Sequence, residues 1–241
     1  MSDNNEPYLA APMKTPESGI KPTNRLRLSN TNAFLRRNAR WFFWAAVAGT
    51  LAKITEEVLE FDLIPVDRSI LLFLHQWIPA SWLPLVNAAT LTGSSKFLIP
   101  LVAVIAVALW LRRHRFEAIQ IALAMAVAGA VIYIVKTSVN RVRPQLWETE
   151  TYWGSSFPSG HTLGVAAVAT ACWLAVSRLA PRHLTLASLS LTAWVCLVAL
   201  SRLILGVHWP TDVAAAACAG LLIAVAINGI GLMIKRRAPL R

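Results

Sequence analysis

The sequence predicts an all-α polytopic transmembrane bundle of about six spans, with both termini in the cytoplasm. Three observations carry this. Of 241 residues, 56% are hydrophobic and only 15% charged, whereas a soluble domain carries about 25% charged residues. The apolar residues fall in long runs, Leu98–Leu111, Ala118–Val135, Gly164–Val176, Leu184–Leu200 and Val213–Ile234, and a helix needs ~20 mostly apolar residues to cross a bilayer. The basic residues sit in short clusters between those runs, as the positive-inside bias requires.

Residues 1–40 are polar and basic, with Pro7, Pro12, Pro16 and Pro22. They read as a disordered cytoplasmic tail, not a signal peptide, which places an apolar stretch near the start. Residues 41–241 read as the membrane domain. Its first span begins with the apolar stretch Trp41–Leu51, and Lys53, Glu56 and Glu57 follow, with Lys53 able to snorkel. Between Asp67 and Trp77, Ile70, Leu71, Phe73, Leu74 and Trp77 recur at helical spacing, which suggests an amphipathic helix lying on the membrane surface. The remaining spans are expected near 95–111, 117–136, 160–177, 184–205 and 211–233, with a polar loop over 137–158.

Six crossings put the tail's basic residues on one side together with Arg112, Arg113, Arg115, Arg178, Arg182 and the C-terminal Lys235, Arg236, Arg237 and Arg241. That side is the cytoplasm. The net charge of +11 is therefore a membrane-topology signal, and a nucleic-acid partner is not expected. Cys172, Cys196 and Cys218 all fall in apolar runs and read as buried thiols, neither a disulfide framework nor metal ligands.

Several cations are left on the other side, at the ends of spans, where an ionisable group suggests function. Lys136 and Arg143 are seven residues apart, followed by Pro144. On a continuous helix they share a face ~10 Å apart, near enough to meet one anion, while Arg141 points elsewhere. Pro144 disfavours helix at Arg143. The second cluster is Pro158-Ser159-Gly160-His161. Ser159 suits an N-cap, Gly160 admits close backbone approach, and the free N–H groups of a helix start favour an anion beside His161. The third runs from Ser201-Arg202 to His208 and Asp212, with Pro210 suited to a first helical turn. Asp212, four residues after His208, can fix the imidazole tautomer and free the other nitrogen to attack. Arg202 offers a guanidinium fork for phosphate oxygens. Each cluster alone also reads as an ordinary helix end. Together, on one membrane face, they supply two histidines, an aspartate and three cations, the equipment for phosphoryl transfer through a protein nucleophile.

These three blocks, K-x6-R-P, P-S-G-H and S-R-x5-H-x3-D, resemble the type 2 phosphatidic acid phosphatase (PAP2) and haloperoxidase superfamily over residues 136–212, with every fixed position matched in order. The resemblance implies a lipid phosphatase of the membrane branch, with no cofactor and no metal. It implies that His208 attacks phosphorus to form a phosphohistidine, that Asp212 orients it, and that His161 protonates the leaving oxygen and then assists water. Lys136, Arg143 and Arg202 would hold the phosphate, assisted by Ser159 and the Gly160 amide. The only acidic residue inside the blocks is Asp212. The expected substrate is a lipid phosphate on the non-cytoplasmic face of the plasma (inner) membrane. The family analogy leans to undecaprenyl diphosphate; phosphatidylglycerol phosphate, phosphatidate and lipid A phosphate also fit. No obligate protein partner is evident. Alternatives are a lipid phosphotransferase, a vanadate haloperoxidase, and a non-enzymatic phospholipid-binding or transport protein. In the loop between the first two blocks, Trp147, Tyr152, Trp153 and Phe157 suit either interfacial anchoring or the border of a headgroup entrance.

Overall fold

The computed structural model describes residues 23–60, 63–147 and 153–237. Eight α-helices occupy them: α1 (Thr23–Glu60), α2 (Ile64–Trp77), α3 (Leu83–Thr92), α4 (Ser95–Leu111), α5 (Arg115–Ser138), α6 (Gly160–Leu179), α7 (Leu184–Ile204) and α8 (Pro210–Arg237). No strand occurs among the described residues. The chain divides into two units at Phe42 and Phe43. Of the tail expected over 1–40, residues 1–22 lie outside the description, and α1 begins within the remainder at Thr23.

Among the described residues, four helices, α5 to α8, are long and apolar enough to cross a membrane. The expected set of six also counted α1 and α4. α4 has 17 residues, about 25 Å of helix, and is shorter than the others. In α1, Lys53 is neutralised within its own helix, 2.8 Å from Glu57 and 3.2 Å from Glu56, while Val58 on the inner face is buried with Phe157 and Ala215.

The surface helix expected at Asp67–Trp77 is part of a larger unit. α2 starts at Ile64, and with the segment Ala80–Thr92 it makes a pair bent by 92° that together is apolar enough for one span. α3 was not expected; Pro84 in its first turn is the local signal. α2 is two-faced. Asp67 and Leu71 are buried, and Leu71 packs with Leu203, Trp209 and Val213. Val66, Ile70, Phe73 and Trp77 are exposed.

α6 is the central helix, with residues 162–171 buried without a break. Small residues make this position tenable. Ala128, Ala167 and Ala216 bring α5, α6 and α8 together around Leu163. A Cβ on Gly220 would stand 2.6 Å from the Leu163 carbonyl oxygen and 2.7 Å from the Ala166 Cβ. Helices that lack a hydrophobic drive toward each other inside lipid gain most from such close backbone approach. Outward faces are apolar, for example Val104, Leu111, Leu186, Leu189 and Ile234, as a lipid-facing surface requires. Cys196 is exposed on α7, not buried as its sequence context suggested, while Cys172 and Cys218 are half-buried. An apolar run marks a helix for the membrane and does not say which of its faces meets lipid.

Candidate active site

The C-terminus of α5, the N-terminus of α6, the C-terminus of α7 and the N-terminus of α8 meet at one end of the bundle. They bring all three sequence clusters together. His208 lies in the α7–α8 connection and is 3% exposed. Arg143 Nη1 stands 3.4 Å from His208 Nε2. A guanidinium only donates, so Nε2 must accept, and the ring proton belongs on Nδ1. Nδ1 faces Asp212 Oδ2 at 3.5 Å, at the limit of hydrogen-bond reach. Burial, with Arg202 and Arg143 nearby, lowers the His208 pKa to about 4 despite the opposing pull of Asp212. The imidazole is thus neutral at physiological pH, with its Nε2 lone pair facing Arg143.

The cations of the site come from three elements. Arg202 on α7 is 1% exposed, and its Nη1 donates to Thr90 Oγ1 on α3 at 2.7 Å. Lys136, in the last turn of α5, donates to the Ser155 carbonyl. Arg143 donates to the Val207 carbonyl at 2.8 Å, and reaches the Trp153 and Ser155 carbonyls at 3.3 and 3.4 Å. His161, in the first turn of α6, is within electrostatic range of Arg202, His208, Lys136 and Arg143.

Two expectations about geometry need correction. Lys136 and Arg143 do not share a helix face. α5 ends at Ser138, and Val139 is extended with ψ 120°. Residues two apart share a side in extended chain, so Arg141 and Arg143 both turn inward while Val142 is 66% exposed. Ser159 occupies the N-cap position of α6, but its hydroxyl caps nothing; it pairs with Thr162 Oγ1 at 3.0 Å. A Cβ on Gly160 would make ordinary contact, 3.4 Å from Ile132 and 4.0 Å from Lys136 Cε.

Arg141 was misplaced from sequence and Asp67 was not singled out. Arg141 is 4% exposed and bonds Asp212 Oδ1 through Nη1 and Asp67 Oδ2, at 2.8 Å, through Nη2. Asp212 Oδ2 also accepts the Trp209 N–H at 2.9 Å.

The loop aromatics divide. Tyr152 lies outside the described residues. Trp153 is 64% exposed and stacks on Tyr133, with ring centres 6.1 Å apart. Phe157 is buried with Val58 and Ala215. Trp147 packs inward, stacked on His75 with centroids 4.1 Å apart. It also lies against Gly206, which has φ +65° and whose Cβ would stand 2.5 Å from the Trp147 ring. Trp147 therefore shapes the turn that carries His208. Gly206→Ala combines left-handed strain with this clash. We expect it to lower any phosphate release by the protein at least ~10-fold through displacement of the turn that carries His208, with the circular-dichroism helix signal unchanged.

The PAP2 superfamily pattern matches residues 117–234, which contain all of these blocks. The chain belongs to the PAP2 superfamily. Phosphatidylglycerophosphatase B of Bacillus subtilis (strain 168) is 26% identical over 174 residues, 71% of this chain and 84% of that protein. Phosphatidylglycerophosphatase B of Escherichia coli (strain K12) is 47% identical over 81 residues, 33% of this chain and 30% of that protein. In fold, the chain is similar to the crystal structure of the transmembrane PAP2-type phosphatidylglycerolphosphate phosphatase of Bacillus subtilis, with TM-score 0.73 and 23% identity over 81% of this chain and 98% of that one. Aquifex aeolicus LpxE is a more distant structural relative, with TM-score 0.55 and 21% identity over 67% of this chain and 93% of that one. The protein is a multi-pass membrane phosphatase of the PAP2 type.

Proposed function

We propose that this PAP2 phosphatase hydrolyses the terminal phosphate of a membrane lipid through a phosphohistidine on His208. The observation that carries this reading is a buried, neutral imidazole whose Nε2 faces Arg143 and which Arg202 also approaches, with Lys136 within electrostatic range of both arginines. Nε2 attacks phosphorus, and the bond from phosphorus to the leaving oxygen breaks. His161, protonated once the phosphate anion lies beside it, gives that oxygen its proton. The Nδ1–H of the resulting cationic phosphoimidazole faces the Asp212 carboxylate. Neutral His161 then takes a proton from water, whose oxygen attacks phosphorus and breaks the P–N bond. Phosphate leaves, and His208 and His161 return to their starting states. The cations hold the phosphoryl oxygens through both steps, with Ser159 and the Gly160 amide at the helix start beside them.

The basic residues Arg115, Arg178 and Lys235 to Arg237 lie at the opposite end of their helices. This supports a site on the non-cytoplasmic face of the plasma (inner) membrane, with residues 41–241 as one phosphatase domain. The relatives' names, phosphatidylglycerophosphatase B and phosphatidylglycerolphosphate phosphatase, support phosphatidylglycerol phosphate as the first substrate to test, ahead of undecaprenyl diphosphate, toward which the family analogy leans.

The test is phosphate release by detergent-solubilised protein from phosphatidylglycerol phosphate, undecaprenyl diphosphate, phosphatidate and lipid A phosphate, with a chelator present and His208→Ala in parallel. Release by wild type alone supports the reading, and the fastest lipid names the substrate. Equal release by both proteins, or release only without chelator, defeats the mechanism. Transfer of phosphate to a lipid acceptor without release identifies a phosphotransferase.

A further inference from the structure

Behind the nucleophile lies a buried group of charges that the reaction scheme does not use. Asp67 is 1% exposed, Arg141 4% and Asp212 0%. One guanidinium bridges the two carboxylates. Asp67 also accepts the Thr211 N–H at 3.0 Å through Oδ1 and the Thr211 hydroxyl through Oδ2, while Arg141 Nη1 donates to Thr211 Oγ1 at 2.7 Å. The Arg141 guanidinium lies over the Trp209 ring, 5.7 Å from its centroid. Asp67 thus reaches from α2 to the first turn of α8, where Asp212 sits.

The charge count is the informative feature. Arg141 alone would balance Asp212 and leave His208 opposite a neutral pair. With Asp67 sharing the guanidinium, the three groups carry one net negative charge beside an imidazole that must become cationic when phosphorylated. Burying a second carboxylate is unfavourable unless it is paired, and the Thr211 contacts supply only part of its hydrogen bonding.

We propose that Asp67 and Arg141 are positioning residues that form a counter-charge relay, in which Asp67 holds part of Arg141 away from Asp212 and thereby sets the negative charge that Asp212 presents to His208. The relay rests on the reading that His208 is the nucleophile and Asp212 its partner. The other groups facing His208 are Arg143 from the α5–α6 connection, Arg202 from α7 and His161 from α6, while Lys136 of α5 faces His161 and the two arginines. None of these is altered in the test.

The acidic limb of kcat/KM reports the free enzyme's essential base. For wild type it is expected near pH 4, below which His208 is protonated and cannot attack. Asp67→Asn removes negative charge, so His208 holds its proton less well and the limb moves to lower pH. Arg141→Gln removes positive charge and moves the limb to higher pH. Each shift is on the order of one unit, the scale of one charge at roughly 10 Å in a partly screened interior. The double variant has the same net charge as wild type, and its limb returns toward pH 4. Asp67→Glu keeps the wild-type limb.

Profiles would be recorded with phosphatidylglycerol phosphate in detergent micelles, beside competitive inhibition by orthovanadate. Opposite shifts in the two single variants, restoration in the double, and unchanged vanadate affinity support the relay. Lower turnover with all limbs at the wild-type position, or both limbs moved in one direction, overturns it and leaves a mechanical brace. If Arg141→Gln fails to fold, Asp67→Asn against Asp67→Glu decides, because only loss of the carboxylate charge moves the limb. Failure of the underlying reading looks different: His208→Ala then retains turnover, or wild type releases no phosphate.

Discussion

Replacing His208 with alanine is expected to remove phosphate release almost completely, by about four to six orders of magnitude in kcat. Deleting one member of a catalytic unit costs nearly as much as deleting the whole unit. On the proposed mechanism the loss includes the atom that bonds to phosphorus. The cation cluster and the α6 N-terminus remain, so the variant should still bind orthovanadate. The second readout is covalent. Rapid quenching of wild type with a 32P-labelled lipid phosphate should trap label that is stable to alkali and released by acid, the behaviour of a phosphoramidate. His208→Ala should carry no such label. Label persisting on the variant at wild-type level would place the nucleophile elsewhere, and the tautomer argued from Arg143 would lose its functional meaning.

The second large effect is expected at Arg202. Its side chain is among the largest fully buried in the protein, and Thr90 on α3 fixes one of its nitrogens at 2.7 Å. Lysine keeps the charge, but it replaces a planar fork with a single mobile ammonium and leaves the Thr90 hydroxyl without that donor. Arg202→Lys should lower kcat/KM about 10²–10³-fold, the scale of losing a preorganised donor to a developing oxyanion. It should also weaken vanadate binding. Thr90→Val leaves the guanidinium in place without its guide, and a loss of roughly 10-fold or less is expected. If Arg202→Lys retains wild-type kcat/KM with the measured substrate, Arg202 is a packing cation and the phosphate is held by Lys136 and Arg143 alone. Steady-state phosphate release across the three proteins separates these outcomes.

Both expectations begin from residues that were legible before any coordinates. His208, Asp212, Arg202, Lys136, Arg143 and His161 all announced themselves as polar groups at the ends of apolar runs, where lipid tolerates ionisable side chains only for a reason. Two helix starts were legible too, because Pro210 and the Ser159-Gly160 pair punctuate runs that otherwise continue, whereas Pro144 lies beyond the end of α5 at Ser138. Arg141 was not legible, for a definite reason. Counting at 3.6 residues per turn from Lys136 turns it away from Arg143, but α5 ends at Ser138, and extended chain then puts both arginines on one side. One misplaced helix end reverses the assignment of a side chain.

Asp67 and Thr90 were hidden for another reason. Each lies in the bent α2–α3 pair, outside the three blocks, and meets its partner only across long stretches of chain. Asp67 contacts Thr211 at a sequence separation of 144, and Thr90 contacts Arg202 at 112. No local pattern records such a meeting. The sequence by itself determined the helical membrane class, the family blocks and which polar groups stand at helix ends. These follow from local hydrophobicity, hydrogen-bonding and backbone preferences, which act over a few residues. The tertiary structure alone decided that α2 folds back onto the start of α8, that Arg141 stands between two carboxylates, and that Trp147 wedges the turn bearing His208. Those outcomes depend on how buried charges and close-packed helices satisfy one another across the whole chain, and burial and pairing at that range exist only once the chain has folded.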